Sequence, residues 1–291
     1  MIRKCNSMKR IQKPTNNIST ILDNCTSNMS EPRKTKIEQV KPTIIKETDN
    51  YDMLAKSGKL FTIPEHDNVD SIAQKNDMEA LYTQKFVPMT EANRNRDYYD
   101  QLILLAPKGI CPYCQQNIVK NLDHFLPKSK YVTFTVTQYN LVPSCSDCNN
   151  GKSASTFKSY VEQPFHPYYD DFDDTQWLKA KLIEKEPISF QFYADPPSFL
   201  ESDKRQRIIN SFASLKLNDI YKVHAPELYS SCLNRMKILF GKGGRELAIE
   251  RLKEKIEDEQ SNRINSWKAA MYQAMIDSNW YWDIYLPSIL S

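Results

Sequence analysis

Apolar residues recur at helical spacing in the second half of the chain and irregularly in the first. Lys204 to Leu217 carries Ile208 and Phe212 four apart, with Ile209 and Leu215 nearby, which predicts an amphipathic helix. Residues 225–240 predict a second helix. Residues 247–274 predict a long third one, with Ile249, Leu252, Ile256, Ile264, Trp267 and Met271 along one face. Gly241-Lys242-Gly243-Gly244 separates these two as a flexible joint. It lacks the glycine, lysine and hydroxyl order of a phosphate-cradling loop. Upstream, 77–82 and 94–105 read as helices; Tyr98, Leu102 and Leu105 share a face, and Pro107-Lys108-Gly109 ends the second. Ile188-Ser189-Phe190-Gln191-Phe192 alternates with the period of a strand. The aromatic end, Trp280 to Leu286, reads as core filling. Residues 51–65 give no clear pattern. Residues 1–50 show little periodicity and many Asn, Ser, Thr and Pro, so they predict an extended arm, anchored at most by one turn at Ile18 to Leu22.

Composition sharpens this outline at three places. The chain has 291 residues, 40% hydrophobic and 26% charged, enough to bury a core in one large or two modest domains. The net charge is only +3, so any nucleic-acid reading must rest on local clustering. Residues 1–50 cluster it most, with ten Lys or Arg against five Asp or Glu. In contrast, Tyr168-Tyr169-Asp170-Asp171-Phe172-Asp173-Asp174 would repel phosphate and is expected to face away from it. No apolar run has the length of a membrane span, and Met1-Ile2-Arg3-Lys4 does not open a secretory signal, so the expected location is the cytoplasm. Four of the seven cysteines form two Cys-x-x-Cys pairs, as metal thiolates do in a reducing compartment; Cys5, Cys25 and Cys232 fit no pattern.

The candidate chemistry lies between those pairs. Cys111 and Cys114, with Cys145 and Cys148, can close a tetrahedral thiolate shell around zinc, leaving no position for substrate. Such a site is structural, and the metal contributes to folding. His124 is then free to take a proton from water, and Asp123 beside it can bind a hard cation such as magnesium or manganese. Asn149 follows the last thiolate, so its amide oxygen offers a neutral second ligand; Asn150 competes for that role. Asn140 can orient His124 by a hydrogen bond or carbonyl relay. Lys128 and Lys152 are candidate phosphate contacts. Arg94 and Arg96 either reach a phosphate backbone or form a solvated helix start. His166, before Pro167, reads as a packing or hydrogen-bonding residue.

Cys-Pro-Tyr-Cys, Leu-Asp-His-Phe-Leu-Pro-Lys-Ser, Asn-Leu-Val-Pro-Ser-Cys and Cys-Asn-Asn-Gly-Lys, all within residues 111–152, resemble the four-cysteine HNH nucleases. The resemblance implies an α+β fold: a ββα-metal HNH core, a β-hairpin and helix pinching one divalent ion, here embedded in a mainly α-helical protein. It implies that Asp123 and Asn149 hold the catalytic ion, that His124 is the general base, and that Asn140 occupies the middle position orienting the hairpin or base. Asn149 stands where the family name has its final His. A looser likeness, in Arg10-Ile11-Gln12-Lys13-Pro14, Phe165-His166-Pro167-Tyr168, Asn210-Ser211-Phe212 and Leu215-Lys216-Leu217-Asn218, is to HNH proteins of bacterial anti-phage systems, namely the Septu nuclease subunit and retron-associated relatives. It implies an ATPase partner.

The expected organisation is a basic flexible arm (1–50), an N-terminal helical segment (51–110), a zinc-stabilised nuclease core (111–160) and a mainly helical region (161–291) that binds a partner or substrate. The expected activity is metal-dependent hydrolysis of DNA phosphodiesters. RNA stays open as a substrate, because water attacks phosphate in both polymers. So does a zinc-stabilised binding module without catalysis. One HNH site attacks one phosphodiester, so a double-strand break needs two copies, as in a homo-oligomer, or two events.

Overall fold

The computed structural model describes residues 10–90, 94–152 and 154–290. The first nine residues of the expected arm lie outside these. Contacts divide the chain into two units, residues 10–170 and 171–290. These are not the boundaries expected after residues 50, 110 and 160, because the N-terminal helices share a core with the cysteine-bearing segment.

The first unit runs α1 (Ile18–Ser27), α2 (Arg33–Lys56), β1 (Asn68–Val69), β2 (Ala73–Gln74), α3 (Lys75–Lys85), α4 (Arg96–Leu104), β3 (Asn121–His124), β4 (Leu141–Ser144) and α5 (Ser146–Lys152). From Ile18 onward the expected flexible arm is therefore two helices joined by a short turn. The Asn17 side chain caps α1 by accepting from the Ser19 amide at 2.8 Å. Ile18, Ile21, Leu22 and Cys25 are buried along one face of α1, and Ile37, Val40, Ile44, Thr48, Tyr51 and Ala55 along one face of α2. Both stripes follow the helical period. Lysine, threonine and asparagine between them dilute the apolar content, which is why composition suggested an arm. Of these, Ile18, Ile21, Leu22, Cys25, Ile37, Val40 and Ile44 join Met78, Leu81 and Tyr82 of α3, Tyr99 and Leu102 of α4, Leu122 of β3, Leu141 of β4, and Val132 and Val136 in one core. The β3–β4 hairpin thus rests on a helical floor built largely from the N-terminal third.

The second unit contains β5 (Leu178–Ile183), β6 (Ser189–Ala194), α6 (Ser202–Ser214), α7 (Leu217–Asn262), α8 (Trp267–Asp277), a π-helical turn (Tyr281–Tyr285) and α9 (Leu286–Ser288). The expected strand is β6, which buries Phe190 and Phe192 and pairs antiparallel with β5. The expected joint falls inside α7, where Gly243 and Gly244 leave helical geometry and Gly244 takes φ +69°. The long helix expected over 247–274 is two. Buried Asn265 separates them, its side-chain oxygen accepting from the Trp177 and Leu178 amides at 2.7 and 2.9 Å, and Ser266 caps α8. Cys232 is buried in α7, as packing, and burial pushes its thiol up to about 11. Among the described residues no helix is long and apolar enough to cross a membrane.

Among the described residues the three sheets are two-stranded antiparallel pairs, and the rest of the regular structure is helical. The β3–β4 pair lies beside the cysteine cluster, so the fold is mainly helical with a small sheet at the candidate site.

Candidate metal centre and adjoining cavity

Cys111 and Cys114 lie on a tight turn after α4. The Cys111 amide donates to Asn117 O at 2.8 Å, and the Gln115 amide returns to Cys111 O at 2.7 Å. Cys145 follows β4, and Cys148 lies on α5. The hairpin and helix thereby bring the second pair to the first. All four are buried, with their sulfurs within 4.8 Å of one another. Cys114 and Cys145 sulfurs are 3.8 Å apart. A tetrahedron with Zn–S bonds of about 2.3 Å has edges of about 3.8 Å, so the cluster is of a size to close on zinc. Backbone amides of Asn117 and Cys148 donate to the Cys114 and Cys145 sulfurs, which favours thiolate. Burial opposes a Cys111 thiolate, but the other three thiols outweigh it and draw its pKa down.

The hairpin sets Asp123 opposite Val142 and His124 opposite Leu141. Asp123, His124, Lys128 and Asn149 line one cavity of about 390 Å³, with Asn121 and Tyr82 among its other walls. Asp123 is buried; its Oδ2 accepts from Tyr113 Oη at 3.1 Å, and its Oδ1 lies 3.3 Å from Lys152 Nζ. Burial pushes the Asp123 carboxyl up, while the Lys152 charge and Tyr113 pull it back. Asn149 donates its Nδ2 to Asn121 Oδ1 at 3.2 Å, which leaves its own amide oxygen for a ligand. Asn150 is exposed and lies off the cavity. One carboxylate and one free amide oxygen on a common cavity fit a hard divalent cation.

His124 donates Nε2–H to Thr135 O at 2.9 Å, so Nδ1 keeps the lone pair. Tyr82 packs edge-on against its ring at 4.5 Å. Burial, with the charges of Lys128 and Lys152, pushes its pKa down to about 3 against the pull of Thr135 O, so the ring is neutral at pH 7. The carbonyl relay expected from Asn140 comes from Thr135.

Asn140 has another task. It is fully buried; its Oδ1 accepts from the Leu126 amide at 2.7 Å and Tyr51 Oη at 3.1 Å. Its Nδ2 donates to Leu126 O at 3.0 Å and Phe134 O at 3.1 Å. All four amide positions are used, and none on His124. Asn140 thus pins the segment between the strands. Tyr51 Oη also lies 3.1 Å from His166 Nε2, and the His166 ring packs on Phe125 at 4.1 Å, so His166 supports the same segment. Asn140→Asp would replace both N–H donors with a carboxylate oxygen that faces the Leu126 and Phe134 carbonyls. It is expected to destabilise the chain by about 3 kcal/mol or more, read as a lower thermal midpoint.

Lys152 is not placed as a phosphate contact. It is buried, and Nζ donates to His124 O at 2.8 Å and Phe125 O at 3.0 Å besides facing Asp123. Its three ammonium hydrogens are used within the fold. Lys128 remains at the cavity, with Nζ over the Tyr82 ring at 4.9 Å. Arg96 is taken up by Asp100 at 2.8 Å and Val87 O at 2.8 Å. Tyr82, Tyr113, Asn121 and Thr135 were not foreseen. Tyr113 lies inside the Cys-Pro-Tyr-Cys motif; the other three carry no spacing signal.

No family model matches the chain, and no solved structure matches it. It is 28% identical over 294 residues to protein ea31 of Escherichia phage lambda, an alignment that covers 93% of this chain and 98% of the phage protein. It is 31% identical over 97 residues to Septu protein PtuB of Bacillus thuringiensis, covering 32% of this chain and 37% of PtuB. The chain is thus a distant relative of a Septu protein with a buried four-cysteine cluster able to bind a metal ion.

Proposed function

We propose that the chain is a metal-dependent endonuclease of the HNH type that hydrolyses DNA phosphodiester bonds. The observation that carries this reading is the common cavity of Asp123, His124, Asn149 and Lys128, beside a hairpin and helix that bring Cys145 and Cys148 to the turn bearing Cys111 and Cys114. Zinc on Cys111, Cys114, Cys145 and Cys148 would hold the frame. Asp123 and Asn149 would hold magnesium or manganese, which when bound offsets charge on the phosphate and on the leaving 3′-oxygen. His124 accepts the proton of the attacking water at Nδ1, while Thr135 O fixes the ring's tautomer and direction. Lys128 meets a non-bridging phosphate oxygen, and Tyr82 holds it at the cavity. Tyr113 and Lys152 orient the Asp123 carboxylate as partners behind the ligand.

The likeness to a Septu protein supports an anti-phage setting and, with it, an ATPase partner; the nearly full-length likeness is to a phage protein. The test is a side-by-side digestion of DNA and RNA with magnesium or manganese. DNA is expected to be cut only when the cation is present. Cleavage of RNA alone would move the assignment to an RNA nuclease, and cleavage of neither polymer would leave a binding module.

A further inference from the structure

The cavity has an unusual charge balance for a divalent-cation site. Among its described lining residues the carboxylate is Asp123 and the ammonium group is Lys128. A second ammonium, Lys152, stands 3.3 Å behind the same carboxylate. Asn149 and Asn121 are neutral, and His124 adds no negative charge in either protonation state. One carboxylate therefore faces two ammonium groups. Neither of these is a loose surface charge. Lys152 is 4% exposed and held by two backbone carbonyls as well as Asp123. Lys128 rests on the Tyr82 ring.

A dication entering this cavity meets a carboxylate that already has a partner. Affinity at oxygen sites rises with the number of charged ligands, and magnesium in particular completes its shell with substrate phosphates. A phosphodiester brings the negative charge that the side chains lack, and the two ammonium groups attract it. We propose that Lys152 is a resident counter-cation for Asp123 that keeps the divalent-cation site weak until a DNA phosphodiester enters, so that cation and DNA load the cavity together. This rests on the reading of Asp123 and Asn149 as cation ligands. By linkage, DNA tightens the cation by the same factor as the cation tightens DNA. Thiolates around zinc would add negative charge, but they do not line the cavity and act equally with and without Lys152.

The experiment titrates Mn2+ into the zinc-loaded full chain by electron paramagnetic resonance, with and without a short DNA duplex. His124→Ala in the background keeps the duplex intact, and an Asp123→Asn version subtracts Mn2+ held by DNA alone. DNA is expected to tighten Mn2+ binding by a factor between about 5 and 150. Lys152→Met is expected to bind Mn2+ about tenfold more tightly without DNA and to show a smaller DNA effect, whereas Lys152→Arg keeps both parental values. Equal Mn2+ affinity with and without DNA overturns the proposal. So does a Lys152→Met chain that keeps its zinc and its melting point yet binds Mn2+ no more tightly. If Lys152→Met does not fold, the DNA effect in the parent decides. If Asp123→Asn binds Mn2+ as tightly as the parent, the ligand assignment has failed rather than the role of Lys152.

Discussion

Cys148→Ser is expected to unfold the unit formed by residues 10–170. Cys148 joins α5 to a cluster whose other members lie at the end of β4 and on the turn after α4. α5 also carries Asn149 and Lys152, so its attachment fixes the distance between the helix and the Asp123–His124 strand. Structural zinc in a small thiolate site contributes about 10–16 kcal/mol. A domain's whole net stability is about 5–15 kcal/mol. Losing one of four ligands therefore removes a term as large as the margin that keeps the unit folded. The measurements are zinc per chain by elemental analysis and the thermal transition by circular dichroism. Zinc is expected to fall from one per chain to well below that, and the cooperative transition of the unit to be lost or lowered by tens of degrees. A strong chelator on the unaltered chain should do the same, more readily at acid pH, where protons compete for the thiolates. Cys232→Ser, buried in α7 and not a member of the cluster, should leave the zinc in place. A Cys148→Ser chain that melts like the parent with no zinc bound would remove the structural role from the metal.

What could be read from the sequence divides along a physical line. The thiolate pairs were legible because Cys-x-x-Cys spacing is a local requirement of the metal. That Asp123, His124 and Asn149 come to one cavity follows from short offsets that tie them to the same frame. Lys152 was misread although the signal was present. It lies four residues after Cys148 on α5, so it shares the face that Cys148 commits to the interior. Charge suggested solvent, but the helical period pointed to Asp123. Asn140 was expected to orient the hairpin or the base; its buried amide holds the segment between the strands and makes no bond to His124. Tyr82 and Thr135 reach the His124 ring through tertiary packing, from α3 and from the segment between the strands, and no local pattern marks such residues. The helices of 18–56 show the opposite failure. Their stripes are regular, but polar residues around them hid a face that forms much of the core.

Removing the imidazole at position 124 is expected to slow metal-dependent cleavage by about 10²- to 10⁴-fold, the usual contribution of a positioned general base. The ring is fixed by two contacts. Thr135 O takes Nε2–H, which leaves Nδ1 as the proton acceptor. Tyr82 fixes the ring's plane from the side. Burial and the nearby ammonium groups favour the unprotonated ring, in which Nδ1 can accept a proton. His124→Ala also takes the partner from buried Thr135 O, which costs about 1–3 kcal/mol and lowers the melting point by several degrees. A loss of rate in that variant alone would thus mix chemistry with stability. His124→Gln separates them, because its amide can still donate toward Thr135 O but has no basic nitrogen. The expected pattern is equal loss of cleavage in both variants, one zinc per chain in both, and a melting point closer to the parent's for Gln. A folded His124→Gln chain that cuts at the parental rate would end the assignment of His124 as the base. The cavity's remaining proton acceptor would then be the Asp123 carboxylate, already held by Tyr113 and Lys152 and assigned to the cation.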